Sequence, residues 1–191
     1  ESVIDRIIHM LFQIDDIIHF GQQSIGVRLE DLKREPQRTM AALCKFMGIK
    51  EEESLYQTTA QGKKWWGDQS TPNFLSGEKE AFDHSPLTRL VGDIFSLSDQ
   101  FVLGTLFYPF SVRFGYVQED RIQFRLNLNK VGKMLDGLFD FEKEILGRTK
   151  LSETDFIKSG AYRFFRKKLK DRWHVLDTSQ TYSNMPRRLQ L

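Results

Sequence analysis

"VRLEDLKREPQRTMAALCKFMGI", residues 27–49, decides how this chain is read. Together with Ser24-Ile25-Gly26 before it, the stretch begins by alternating: Ile25, Val27 and Leu29 are apolar, while Gly26, Arg28 and Glu30 are not. A period of two over this length predicts a short strand within residues 24–32. Pro36 then opens a helix, at a position whose missing N–H costs nothing because first-turn donors have no intrahelical partner. Met40, Leu43, Cys44 and Met47 recur at helical spacing and are expected to line its buried side. Gly48, free to adopt a left-handed conformation, closes it. A strand passing through a turn into an amphipathic helix predicts an α/β fold, here helix-dominated with one clear strand.

Upstream, residues 3–20 carry the best helical pattern. Val3, Ile4, Ile7, Ile8, Leu11, Ile14 and Ile18 share one face, with Asp5, Arg6, His9, Gln13 and Asp16 on the other. Ser2 is the expected N-cap and Gly21 the stop. Downstream, Gly62, Gly67, Pro72 and Gly77 punctuate residues 58–80, which read as a long, largely irregular loop. Helical character returns over residues 87–106 and is broken by Pro109, with "RFGYV" (residues 113–117) ending the section. Residues 125–146 and 155–175 read as two further helices. The polar tail from Asp177 to Leu191 reads as frayed or draped.

Bulk composition narrows the function classes. A chain of 191 residues suits one sizeable domain, or a domain with an extension. A formal charge of +2 is too small to argue for nucleic acid or membrane as a partner of the whole chain, so no DNA is expected. The lone Cys44 excludes an intrachain disulfide and Cys-rich zinc patterns, which fits a reducing, cytoplasmic setting. His9, His19, His84 and His174 show no H-E-x-x-H spacing, and no metal is expected. No apolar run is long enough to cross a bilayer, and the start lacks the pattern of a signal peptide.

The most unusual string is "AQGKKWWGDQS", residues 60–70, in which two glycines bracket two lysines and two tryptophans. Gly62 and Gly67 permit turns with positive φ and let backbone N–H groups approach phosphate oxygens closely. Lys63 and Lys64 supply point charges that suit a phosphate. Trp65 or Trp66 can stack on a heterocyclic base, an interaction of about 1–3 kcal/mol. The alternative is that both tryptophans pack under the loop while both lysines point into solvent.

Residues 27–49 resemble sulfotransferases, in which a strand ending in an R-x-E-D-L-type sequence leads through Pro into a helix ending F-[LM]-G-[ILV]. "TTAQGKKWWGD" (residues 58–68) and "RFGYV" are similar to the Thr…Gly-Lys loop and terminal F-G-Y of bacterial and Golgi-type members. The likeness covers roughly residues 21–117. It implies transfer of a sulfuryl group from 3'-phosphoadenosine 5'-phosphosulfate to a hydroxyl or amine acceptor, within a P-loop-like three-layer fold. On this reading Gly62, Lys63, Lys64, Trp65, Trp66 and Gly67 contact the donor at its second, 3'-phosphate site. The family holds the 5'-phosphosulfate with a P-loop-like strand–turn–helix, and the chain has no such Gly-rich element and no G-x-x-x-x-G-K-[ST]. The resemblance therefore implies the C-terminal part of the domain over residues 1–117, with a helical extension over 118–191 and the catalytic residues unassigned. A chain that begins at Glu1 reads as a processed form or a fragment. A homo-oligomer, or a complementing chain carrying the P-loop, is then expected.

Other chemistry-bearing residues have structural readings. Glu30 and Asp31, as neighbours on a strand, would point to opposite faces and share neither a proton nor a metal. Asp31 is expected to bond backbone in the turn toward Pro36, and Arg28 to pair with Glu30. His9 and His19 read as solvated; His84, in "FDHSPL", is an alternative general base. Arg163, Arg166, Lys167, Lys168, Lys170 and Arg172, interleaved with Tyr162, Phe164, Phe165 and Trp173, read as the basic solvent face of an amphipathic helix. They also carry the rival functional reading, a non-catalytic, mostly helical interaction module binding an anionic partner through this helix.

Overall fold

Helix starts and stops recur at short intervals along this chain, and they cut it into more pieces than its apolar periodicity alone suggests. The computed structural model describes residues 4, 6–12, 24–57, 59–61, 63–64, 70, 82, 95–149, 152–179 and 186–191. In chain order the described elements are α1 (residues 6–12), β1 (Ile25–Gly26), α2 (Leu29–Arg34), α3 (Pro36–Met47), a 3-10 turn at Glu53–Tyr56, β2 (Thr59–Ala60) and β3 (Lys63–Lys64). They continue with α4 (Leu97–Leu106), α5 (Tyr108–Arg113), α6 (Arg121–Met134), α7 (Asp140–Arg148), α8 (Glu153–Lys158), α9 (Gly160–Thr178) and β4 (Arg187–Arg188). The described residues are thus predominantly helical, with short strands only, a helix-dominated α/β arrangement. Two units separate: Glu1–Ser24 with Leu90–Arg187, and Ile25–Arg89 with Arg188–Leu191.

In the first unit α4, α6 and α9 pack around one apolar core. Val102 and Leu106 of α4, Phe124, Leu128 and Val131 of α6, and Phe165 and Leu169 of α9 are all buried. Each such side chain contributes roughly 1.5–3 kcal/mol on leaving water. Ile4, Ile7 and Leu11 join the same core, while His9 is exposed, as the opening helical pattern predicts. Residues 13–20 of that pattern lie outside the described residues.

Local caps decide where these helices begin. Ser96 accepts the Asp99 N–H at 3.1 Å and its own N–H donates to Asp99 Oδ2 at 3.2 Å, a reciprocal box that starts α4. Of the helix expected over 87–106, residues 97–106 are helical and 87–94 lie outside the described residues. Pro109 sits in the first turn of α5, so it opens a new helix after α4 has ended.

The two long helices expected over 125–146 and 155–175 are four. Between α6 and α7 the chain turns at Asp136-Gly137, where the Gly137 N–H donates to the Met134 carbonyl at 3.2 Å. Between α8 and α9 it breaks at Ser159, whose hydroxyl caps α9 through the Tyr162 N–H at 3.3 Å. The tail is not wholly free: β4 pairs with β1, and the Leu189 N–H donates to the Gly26 carbonyl at 2.9 Å.

In the second unit the strand expected over residues 24–32 shrinks to Ile25–Gly26, and Leu29–Arg34 is helical. Glu30 and Asp31 stand in the first turn of α2 and Lys33 and Arg34 in its last, so the charges oppose the helix dipole at both ends. α3 begins at Pro36 as expected and ends at Gly48, with φ 68, where the Ile49 N–H closes back on the Cys44 carbonyl at 3.0 Å. Its buried residues are Thr39 and Cys44; Met40 and Leu43 are half-buried, and Met47 is 48% exposed rather than buried.

Candidate functional site

The segment expected to be irregular loop contains a hairpin. β2 and β3 pair antiparallel, with Thr59 opposite Lys64 and Ala60 opposite Lys63. Gln61, in the two-residue connection, has φ 54. A positive φ at the first loop position gives the twist that a two-residue hairpin needs, which is why such loops favour small or amide residues. Of the six proposed donor contacts, Lys63 and Lys64 are therefore placed on β3, and Lys63 is exposed. Gly62, Trp65, Trp66 and Gly67 lie outside the described residues, as does His84.

Successive residues of a strand alternate faces. The hairpin therefore puts positions 63 and 64 on opposite faces of the ribbon. Pairing to β2 fixes the backbone that carries them.

Glu30 and Asp31 form no strand pair, because both are on α2. The Arg28 Nε lies 3.9 Å from Glu30 Oε2, in keeping with the expected pairing, and 3.6 Å from Asp31 Oδ1. The second oxygen of Asp31 accepts a 2.7 Å hydrogen bond from Arg188 Nη2. The expected backbone role belongs to the Asp31 carbonyl: it accepts the Glu35 N–H at 2.9 Å and the hydroxyl of buried Thr39 at 3.0 Å. Asp31 is thus a brace between its own helix and the last residues of the chain. Nothing in the local sequence signals a partner 157 residues away.

A second group of charges lies in the first unit, and sequence reasoning missed it. Arg166, expected on the solvent face of the last helix, is buried and donates to Glu142 Oε2 at 3.2 Å. It also donates to the carbonyls of Gly137, at 2.8 Å, and Leu135. Its guanidinium carbon lies 4.4 Å from the centre of the Phe139 ring. Glu142, fully buried, accepts the Phe139 N–H at 2.7 Å and so caps the start of α7. Burial pushes the Glu142 carboxyl above the ordinary range, against the pull of the Phe139 N–H and Arg166.

Buried Asp99 completes the group by accepting the N–H groups of Asp140, at 2.9 Å, and Phe141, at 3.0 Å. Ser96 donates to Asp140 Oδ2 at 2.7 Å and Lys143 to Asp140 Oδ1 at 2.8 Å. Lys143, then Ser96, holds the Asp140 carboxyl below its ordinary range. These polar groups are bonded to one another and to helix ends. Their chemistry is that of a clasp, fixing the turn between α6 and α7 against α4 and α9.

The remaining basic residues of α9 divide. Arg172 donates to the Leu106 carbonyl at 3.3 Å and Lys170 pairs with Asp136 at 2.7 Å. Tyr162 and Phe165 are buried, whereas Arg163, Phe164 and Lys167 are exposed. Among the described residues no group of His, Cys, Asp or Glu is placed to hold a metal ion, and no helix is long and apolar enough to cross a membrane. No protein-family model, curated protein or solved structure matches the chain.

Proposed function

We propose that the chain is the C-terminal part of a sulfotransferase-like domain and that its 59–67 segment grips 3'-phosphoadenosine 5'-phosphosulfate at the 3'-phosphate. One observation carries this reading. Behind the E-D-L segment and the Pro36–Met47 helix, a Gly-Lys-Lys-Trp-Trp sequence places its lysines on a paired strand directly after a tight turn. A lysine ammonium carried on a paired strand suits a phosphate monoester, and each charge-assisted hydrogen bond contributes about 1.5–3 kcal/mol. The finer architecture, a P-loop-like three-layer domain, belongs to the same proposal.

A sulfuryl transfer needs a second cradle for the 5'-phosphosulfate and a base for the acceptor hydroxyl or amine. The sequence has no P-loop motif to supply the first, so catalysis requires a complementing segment. The chain by itself would bind the nucleotide product, adenosine 3',5'-bisphosphate, more weakly than a complete domain would. Calorimetric titration of that bisphosphate into the chain and into Lys63→Ala and Lys64→Ala tests the reading. Because the two residues lie on opposite faces, one substitution should weaken binding by about 10- to 100-fold and the other much less. Equal, negligible effects of both would remove the loop from the donor site.

A further inference from the structure

Two phenylalanine rings from different elements meet at the surface of the first unit. Phe12 of α1 and Phe164 of α9 stack with ring centroids 5.8 Å apart and planes 25° apart, yet they remain 39% and 41% exposed. The Lys168 Nζ lies 4.8 Å from the centre of the Phe12 ring and 5.9 Å from that of Phe164. Arg163 and Lys167, one residue before Phe164 and three after it, are exposed, and among the described residues neither meets a carboxylate at ion-pair distance.

Apolar ring tips and the exposed cations Arg163 and Lys167 therefore share one surface. Elsewhere on the same helix the cations are used: Arg166 is buried against Glu142, and Lys170 reaches Asp136. Of the carboxylates of α9, Asp171 stands one turn after Lys167 and Asp177 lies near the C-terminal end. A partner matching this layout is anionic at its rim and apolar beneath. A bilayer of anionic lipid has that layering, with phosphates outside and acyl chains below. A nucleic acid supplies the phosphates, but its bases stack on free rings, whereas Phe12 and Phe164 already stack on one another.

We propose that this patch docks the protein on an anionic lipid surface. Phe12 and Phe164 enter the boundary between headgroups and acyl chains, while Arg163 and Lys167 sit at the level of the lipid phosphates. The docking is peripheral and needs no spanning helix. It is independent of the nucleotide reading, whose lysines belong to the other unit.

The test is flotation of the full chain with vesicles of phosphatidylcholine alone and of phosphatidylcholine mixed with phosphatidylserine. The protein is expected to float with the mixed vesicles and not with phosphatidylcholine. Arg163→Gln/Lys167→Gln should lower partitioning by about 25-fold, from roughly fivefold per cation near an anionic surface. Phe12→Ser/Phe164→Ser should lower it comparably, with circular dichroism confirming that each variant is folded. Lys130→Gln/Lys133→Gln removes two exposed cations from α6, outside the patch, and should leave flotation unchanged. Absence of flotation with the mixed vesicles, or equal losses in the α6 and α9 charge variants, overturns the proposal. Binding to a single-stranded oligonucleotide without flotation overturns it in favour of a nucleic-acid surface.

Discussion

Trp173 packs so closely on Gly132 that a Cβ at residue 132 would lie 2.7 Å from the indole Cζ2. The indole is held there by the same helix one turn earlier, because Nε1 donates to the Leu128 carbonyl at 2.9 Å. α6 and α9 therefore meet through a glycine on one helix and a tryptophan on the other. This contact lets the apolar residues on either side of it approach.

Gly132→Ala should consequently destabilise the first unit despite the better helix propensity of alanine. Overpacking costs about 1–3 kcal/mol, against a propensity gain of about 1 kcal/mol, so the net loss is about 1 kcal/mol. Gly104, in α4, has nothing within 4 Å of a built Cβ. Gly104→Ala should therefore stabilise by up to about 1 kcal/mol. Opposite shifts of the denaturant midpoint for the two variants are the expected result.

Arg166→Met should cost far more. It leaves Glu142 fully buried without its cation, and breaking such a pair costs about 3–5 kcal/mol. The pH dependence should change as well. Burial already holds the Glu142 pKa above its ordinary 4.5, and Arg166 is among the groups pulling it down. Without Arg166 it rises further. A group whose folded pKa is raised contributes stability that is full below the unfolded value and lost as pH rises through the folded value. The variant should therefore lose stability relative to the parent as pH rises through the parent's folded value, which already lies above 4.5, measured by urea unfolding across pH.

The opposite sign applies to Asp136 and Asp140. Lys170 lowers the first and Lys143 the second, each below an ordinary value of 3.8. Groups with depressed folded pKa contribute stability that is present above 3.8 and lost as pH falls through the lower folded values. Asp136→Asn/Asp140→Asn should flatten the acid limb of the stability profile and leave its slope near neutrality unchanged. Thermal unfolding at a series of acidic pH values reads this directly.

What was legible in the sequence was local chemistry. Pro36 and Gly48 bound α3 because a fixed φ and a left-handed φ act on a single residue. Residues 24–32 were misread because Ile25, Val27 and Leu29 alternate over a window too short to separate strand from helix. The acidic pair Glu30-Asp31 followed by Lys33-Arg34 was the available helix signal. The divided helices carried signals too, Asp136-Gly137 and Ser159-Gly160, which apolar periodicity ran across. The burial of Arg166 had none, since it depends on Glu142, 24 residues away, and on two carbonyls of a turn. In the candidate site the lysines were legible as a cluster. Their division between two faces of a hairpin was not, because it follows from the pairing of Thr59 with Lys64.

The most direct test of the central claim compares adenosine 3',5'-bisphosphate with adenosine 5'-monophosphate as ligands of the chain by calorimetry. A hairpin that grips the 3'-phosphate should bind the bisphosphate at least about tenfold more tightly, the worth of one charge-assisted hydrogen bond. Lys63→Ala or Lys64→Ala should then abolish that difference while leaving any monophosphate binding as it was. Equal affinity for the two nucleotides, or a difference that survives in both lysine variants, would contradict the account.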